Sequence, residues 1–236
     1  MRLRDWSLAR SGSPEASRYR ARLDRTAAGF GLALDLAATA PPLLQGAGGL
    51  SRKGPGTHAF SHYYSEPQLA VSGTLEVDGQ VHLVRGRAWL DHEWSDAYLD
   101  PETSGWDWIG MNLDDGGALT AFRLRRRDGG THYAGGSFRA AGSTAVRDFA
   151  AEEVAFQARR TWHSAASGAT YPVEWDLTTP VGRWTVRARL DDQELDSRAS
   201  TGAIYWEGLS ELRDASGRRV GGGYLEMTGY AEPMKL

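Results

Sequence analysis

Val181-Gly182-Arg183-Trp184-Thr185-Val186-Arg187-Ala188-Arg189-Leu190 alternates without a break: Trp184, Val186, Ala188 and Leu190 on one side, Arg183, Thr185, Arg187 and Arg189 on the other. A period of two puts the two sets on opposite faces of a β-strand, one apolar and one cationic. The inner and outer surfaces of a closed sheet are both legible in this one segment.

Working outward, the same period recurs on both sides. Leu69, Val71, Leu75 and Val77 face one way while Ser72, Thr74 and Glu76 face the other. Val77-Asp78-Gly79-Gln80 then supplies an Asp-Gly hairpin turn into Val81–Trp89, because both central residues of such a turn must take positive φ. Asp114-Asp115-Gly116-Gly117 turns Trp106–Leu113 back into Ala118–Arg125, and Asp128-Gly129-Gly130 repeats the device. Further strands are predicted at Tyr133–Ala140, Val154–Trp162, Tyr171–Thr178, Trp184–Leu190, Ile204–Leu212 and Val220–Tyr230. About nine strands in a meander, with no amphipathic helix, point to an all-β antiparallel up-and-down barrel, since closure removes the exposed edges of an open sheet. A sandwich is the structural alternative. A barrel of about eight to ten strands can enclose one small ligand.

Residues 1–65 read differently. Leu3–Ala9, Tyr19–Asp24 and Gly29–Ala37 are predicted strands, followed by Pro41-Pro42 and a Gly/Ser-rich connection over Gly46–Gly56. Three strands cannot close a barrel. They must lie against the second unit, pair with another chain as in a homodimer, or belong to a domain whose beginning is absent.

Composition narrows the function classes. The chain has 236 residues, 29 Gly and nine Trp, a formal charge of −3 with acids and bases interspersed, and no Cys. No basic stripe recommends a nucleic-acid partner. Without Cys there is no disulfide frame, thiol nucleophile or zinc–thiolate site. No apolar run is long enough for a membrane span, and the first residues hold no signal-peptide core. The expected location is cytoplasmic as the sequence stands, and periplasmic or secreted if an N-terminal segment is missing.

The chemistry concentrates in Arg85–Leu113, where Trp89-Leu90-Asp91-His92-Glu93-Trp94 and Gly105-Trp106-Asp107-Trp108 join ionisable groups to large aromatic faces. An indole face can hold a cation and a neighbouring acid can move a proton. Strand alternation places Trp89, Asp91 and Glu93 on one face and Leu90, His92 and Trp94 on the other. Trp106 and Trp108 face together, leaving Asp107 beside Ile109, Met111 and Leu113. An acid on an apolar face is either a buried hydrogen-bond anchor or a proton donor. Asp91, His92 and Asp107 are therefore the catalytic candidates, with Trp89, Trp94, Trp106, Trp108, Tyr64 and Trp206 lining a substrate site. The alternative is that the Trp residues fill a barrel and the acids hold its rim.

Weaker candidates accompany these. Asp91-His92-Glu93 has metal-ligand types, but alternation sends His92 away from both acids, so no metal site is assigned. His58 and His62 have helical metal spacing yet fall in an expected loop before Tyr63-Tyr64. Ser51-Arg52-Lys53-Gly54 is basic and reads as a solvated connection or an anion contact. Gln193-Glu194-Leu195-Asp196 and Trp206-Glu207 place acids near aromatics, at a cavity mouth or as strand caps.

The succession Leu44-Gln45-Gly46, Ser51-Arg52-Lys53-Gly54, His62-Tyr63-Tyr64-Ser65, Ala88–Trp94, Gly105–Trp108, Gln193-Glu194-Leu195, Tyr205-Trp206-Glu207-Gly208 and Gly223–Tyr230 resembles the AttH-like family, related to the carotenoid 1,2-hydratases, or hydroxyneurosporene synthases. The resemblance implies a lipocalin-like (calycin-type) fold of two tandem barrels, with 1–65 as part of the first and 66–236 as a complete second. It also implies a lyase of the hydratase type, or an isomerase, working without a cofactor on a hydrophobic unsaturated isoprenoid or polyketide. In the resembling hydratases the His and Trp of a His-x-Trp block are implicated, and they map onto His92 and Trp94. The hydratases' Tyr-x-Asp pair is absent from the comparable strand, Leu119–Arg125, which sets this chain apart from them at the expected proton donor. Two other functions fit the same residues: a lipocalin-like module that binds a hydrophobic metabolite without turnover, and a barrel that folds a reactive polyene for cyclisation.

Overall fold

The computed structural model describes residues 1–24, 29–97 and 99–234. Among them there is no α-helix; two single-turn 3₁₀ segments, Pro14–Ala16 and Ala151–Glu153, interrupt an otherwise all-β chain. The all-β expectation holds.

The first sheet contains β1 (Arg2–Leu3), β2 (Trp6–Ser11), β3 (Arg18–Leu23), β4 (Phe30–Ala37), β5 (Leu43–Leu44), β6 (Leu50–Arg52), β7 (Phe60–Val77) and β8 (Gln80–Ala97). β1 to β4 pair in sequence order, β4 pairs with β7, and β5, β6 and β8 all pair with β7. Asp78 and Gly79, with φ of 51° and 80°, form the tight turn between β7 and β8, as the Asp-Gly pair demands. Both strands run well past the predicted segments, to 18 residues each. The connection over Gly46–Gly56 is not all loop either: Leu50, Ser51 and Arg52 pair with His62, Ser61 and Phe60. His62 consequently lies in a strand, not in the expected loop.

The second sheet contains β9 (Gly105–Leu113), β10 (Ala118–Arg125), β11 (Thr131–Arg139), β12 (Arg147–Phe149), β13 (Ala155–His163), β14 (Thr170–Thr179), β15 (Gly182–Ala188), β16 (Glu194–Asp196), β17 (Ile204–Asp214) and β18 (Arg219–Met227). Its order is β12-β11-β10-β9-β18-β17-β15-β14-β13, with β16 on the edge of β17. Most sequence neighbours pair, and the first strand meets the last through Ile109 opposite Leu225 and Met111 opposite Gly223. That pairing joins the two ends of a meander, as barrel closure requires. The sheet's terminal strands are β12 and β13, with Ala151–Glu153 between them in sequence.

The inner face of this sheet holds the principal core. Ile109, Met111, Leu119, Val173, Trp175, Val186, Trp206, Leu212, Leu225 and Met227 are 1% exposed or less. Each large side chain removed from water contributes about 1.5–3 kcal/mol before entropy is counted. On the outer face of β13–β15 and β17 the cations expected from the alternation meet acids: Arg189 pairs with Glu211 at 3.3 Å, and Arg187 lies 3.9 Å from Glu174. The alternation ends sooner than expected, however. β15 stops at Ala188 and Leu190 is 67% exposed. The chain turns here because Gln193 donates back to the Leu190 carbonyl and Arg160 holds Asp191 at 2.5 Å.

By internal contacts the chain divides into two units, Met1–Leu43 with Ser65–Asp91, and Leu44–Tyr64 with His92–Leu236. The division is discontinuous in sequence. β7 and β8 each contribute residues to both units. No helix among the described residues is long and apolar enough to cross a membrane.

Candidate functional site

Within the second unit, β7 and β8 carry a ladder of rings on one face. Phe60, His62 and Tyr64 alternate along β7, and His92 and Trp94 along β8. The His92 ring stacks on Tyr64 with centroids 5.4 Å apart and planes 29° from parallel, and lies 5.1 Å from the Trp94 indole. His62 stacks on the other part of the row, 5.5 Å from Trp94 at 29°, and meets Phe60 edge-on at 5.9 Å. The ladder is open to solvent: both imidazoles are exposed and Trp94 is 51% exposed. Leu50, opposite His62, extends it with another apolar side chain. Three of the candidates, Tyr64, His92 and Trp94, are thus brought together, and His62 joins them.

The opposite face of the same strands is polar and tied down. In the first unit Asp91 accepts the Ser65 hydroxyl at 2.5 Å and the Trp89 indole N–H at 2.9 Å, one on each carboxylate oxygen. Asp91 and Trp89 therefore form an anchor on the side of β8 away from His92. In the second unit Glu93 receives the Ser61 hydroxyl and the Lys53 ammonium, each at 2.5 Å. Lys53 is 6% exposed, with its ammonium 5.3 Å from the centres of both the Tyr63 and Phe122 rings. Of the four residues read as a solvated connection or anion contact, Ser51, Lys53 and Gly54 are buried, and Lys53 already has its anion.

Asp107 occupies a third environment. It is fully buried on the inner face of β9, beside Ile109 and Met111, as alternation required. Its carboxylate accepts Arg123 Nε at 2.6 Å, lies 3.2 Å from Arg125 Nε and accepts the Tyr230 hydroxyl at 2.8 Å. Arg123 packs over the Trp175 ring and Arg125 over Tyr230, at 4.8 Å and 3.8 Å to the ring centres. Burial first, and the Asp107 charge second, push the Tyr230 phenol well above its ordinary pKa. This hydroxyl remains a donor, and Asp107 is the hub of a cluster of side chains, two of them guanidinium groups.

The remaining candidates have structural partners. Trp206 is fully buried with its indole donating to the Asp191 carbonyl at 2.7 Å. Trp106 and Trp108 stand on the outer face of β9, opposite Leu124 and Phe122. Glu194 receives the Ser164 and Ser167 hydroxyls at 2.7 and 2.5 Å. Asp196 binds Arg198, which lowers its pKa to about 2.

A model of the AttH-like family matches residues 1–230. The chain belongs to that family. Among solved structures, a candidate AttH from Nitrosomonas europaea is 46% identical, with a TM-score of 0.89 over 96% of this chain and 68% of that one. Kievitone hydratase from Nectria haematococca is 20% identical, with a TM-score of 0.70 over 90% of this chain and 65% of that one, a likeness of fold. The chain spans about two thirds of the length of each. No match was found among curated proteins. The family and both structures support the lipocalin-like architecture that the motifs implied.

Sequence reasoning missed His62, Lys53, Arg123, Arg125 and Tyr230 as partners. The signal for His62 was available: Phe60, His62 and Tyr64 already alternate with Ser61, Tyr63 and Ser65. Tyr230 gave none, because its partner lies 123 positions away.

Proposed function

We propose that this AttH-like chain is a hydratase-like lyase that adds water to an isolated double bond of a hydrophobic isoprenoid or polyketide, without a cofactor. The observation that carries this is the His92 ring stacked on Tyr64 and tilted against Trp94 on a face open to water. An imidazole can give a proton to a carbon of the alkene, and an indole face stabilises the carbocation that results. Asp91 and Asp107 are assigned anchoring roles, because each is occupied by strong donors away from this face. The fold likeness to an enzyme named for the hydration of kievitone favours the same reaction class.

Native mass spectrometry after exposure to an isoprenoid extract tests the proposal. A bound mass that gains one water over time, and stops doing so in His92→Ala, supports it. A stable bound mass in both proteins would replace it with a binding module. A bound mass that rearranges without gaining water would point to the cyclisation alternative.

A further inference from the structure

A second imidazole borders the same indole. His62 stacks on Trp94 while His92 leans against it at 59°, so one indole touches two rings that can each give or take a proton. The arrangement follows from two alternating strands. Ser61, Tyr63 and Ser65 are the buried side of β7, and this fixes Phe60, His62 and Tyr64 on the other side. The ring contacts bring Tyr64 level with His92 and His62 level with Trp94. The carboxylates of Asp91 and Glu93 are directed away and hold Ser and Lys donors. Within the second unit, among the described residues, alternation leaves Tyr64, Asp96 and Arg52 as the other titratable or charged groups of this face, and the Arg52 guanidinium is bonded to the Pro55 and Gly56 carbonyls.

We propose that His62 and His92 act as a base and acid couple around Trp94, with His92 the donor and His62 the group that activates water. The inference rests on the hydratase-like reading of this face. The π electron pair of the double bond takes the N–H proton of the His92 imidazolium and becomes a C–H bond. The neighbouring carbon, now cationic, faces the Trp94 indole. The neutral nitrogen of His62 removes a proton from a water molecule as that oxygen forms the C–O bond. His92 ends neutral and His62 protonated, and exchange with solvent restores both. Water is the only co-reactant. The donor role falls to His92 because it touches two ring systems, Tyr64 and Trp94, whereas His62 touches Trp94 and Phe60.

The test uses the full chain in D₂O with kievitone and a panel of prenylated phenols and acyclic isoprenoids, reading alcohol product and deuterium in the recovered alkene. His62→Gln should lower alcohol formation about a hundredfold, the usual size of a base contribution, while deuterium still enters the alkene. His92→Gln should lose both signals. Asp96→Asn and His58→Gln should keep both, and far-UV circular dichroism should show all four variants folded. Full alcohol formation by His62→Gln, or its loss in Asp96→Asn instead, overturns the couple and leaves the hydratase reading standing. A wild-type chain that neither hydrates nor exchanges any member of the panel removes the hydratase reading, and the couple falls with it. His62→Asn provides the same comparison if His62→Gln fails to fold.

Discussion

The Tyr230 hydroxyl donates to Asp107 Oδ1 at 2.8 Å, joining the segment after the last strand of the second sheet to the inner face of its first. The same carboxylate holds Arg123 and Arg125, so a fully buried anion is balanced by two guanidinium groups that themselves lie on aromatic rings. The cluster sits where β9 pairs with both β10 and β18, Asp107 being opposite Arg123 on one side and Met227 on the other. It fastens the seam at which the meander closes.

Asp107→Asn should therefore be among the most destabilising isosteric changes in the chain. Removing one member of a buried ion pair leaves the others uncompensated and costs about 3–5 kcal/mol. Tyr230→Phe removes a single hydrogen bond to a charged acceptor, worth about 1.5–3 kcal/mol, and leaves the ion pairs intact. Urea unfolding followed by tryptophan fluorescence should rank the variants in that order. Equal midpoints for wild type and Asp107→Asn would show that the cluster does not hold the seam.

Lys53 and Glu93 offer a second comparison. The lysine side chain is 7% exposed and the glutamate 18%, so the cation is the partner more costly to strand. Glu93→Gln should cost about 3 kcal/mol or more, Lys53→Met less, and the double variant should recover part of the loss, because the buried charge is then gone. A double-mutant cycle by thermal unfolding measures the coupling. Additive losses would mean that the two charges act independently.

Much of this fold was legible because its signals are local. Period-two alternation and Asp-Gly turns found the strands of the second sheet, and Ala118–Arg125 has the predicted bounds. Asp107 on the apolar face followed from alternation alone. The failures share a cause. Leu50–Arg52 is too short and Gly-flanked to show a period, and it becomes a strand only because β7 is there to pair with it. Lys53 looks solvated until Glu93, Tyr63 and Phe122 are brought around it. Leu190 continues the alternation in sequence, yet the Arg160–Asp191 pair turns the chain first. For the candidate site, His92, Trp94 and Tyr64 could be picked by residue type, but which of them share a face with His62 depends on the register between β7 and β8.

The closing seam also depends on glycine. A Cβ on Gly223 would stand 1.9 Å from the Gly110 carbonyl oxygen and 2.9 Å from Met111 Cα, both backbone atoms of the facing strand. Neither can move without parting β18 from β9. Gly223→Ala should destabilise by about 3 kcal/mol, at the upper end of ordinary overpacking. Gly86→Ala, where nothing lies within 4 Å, should stay within about 0.5 kcal/mol of wild type. Matching melting temperatures for the two variants would show that β9 and β18 do not approach as described.

Arg160 and Asp191 give a dependence on pH whose sign can be worked out. The hydrogen bond from Arg160, outweighing partial burial, holds the Asp191 carboxyl below its ordinary range. A carboxylate whose pKa is depressed in the folded protein contributes its stability above the unfolded value, about 3.9, and loses it as the pH falls through the lower folded value. The pair is part-exposed, at 39% for each side chain, so the contribution is small and screened by salt. It should still show in a comparison. Asp191→Asn should be less stable than wild type near neutrality, with a gap that stays constant down to about pH 4 and closes below it. The same gap should shrink in high salt. Thermal melts of the two proteins from pH 7 to pH 3, at low and high ionic strength, measure both effects. A gap that widens as the pH falls would mean that Asp191 does not carry its charge in the pair with Arg160.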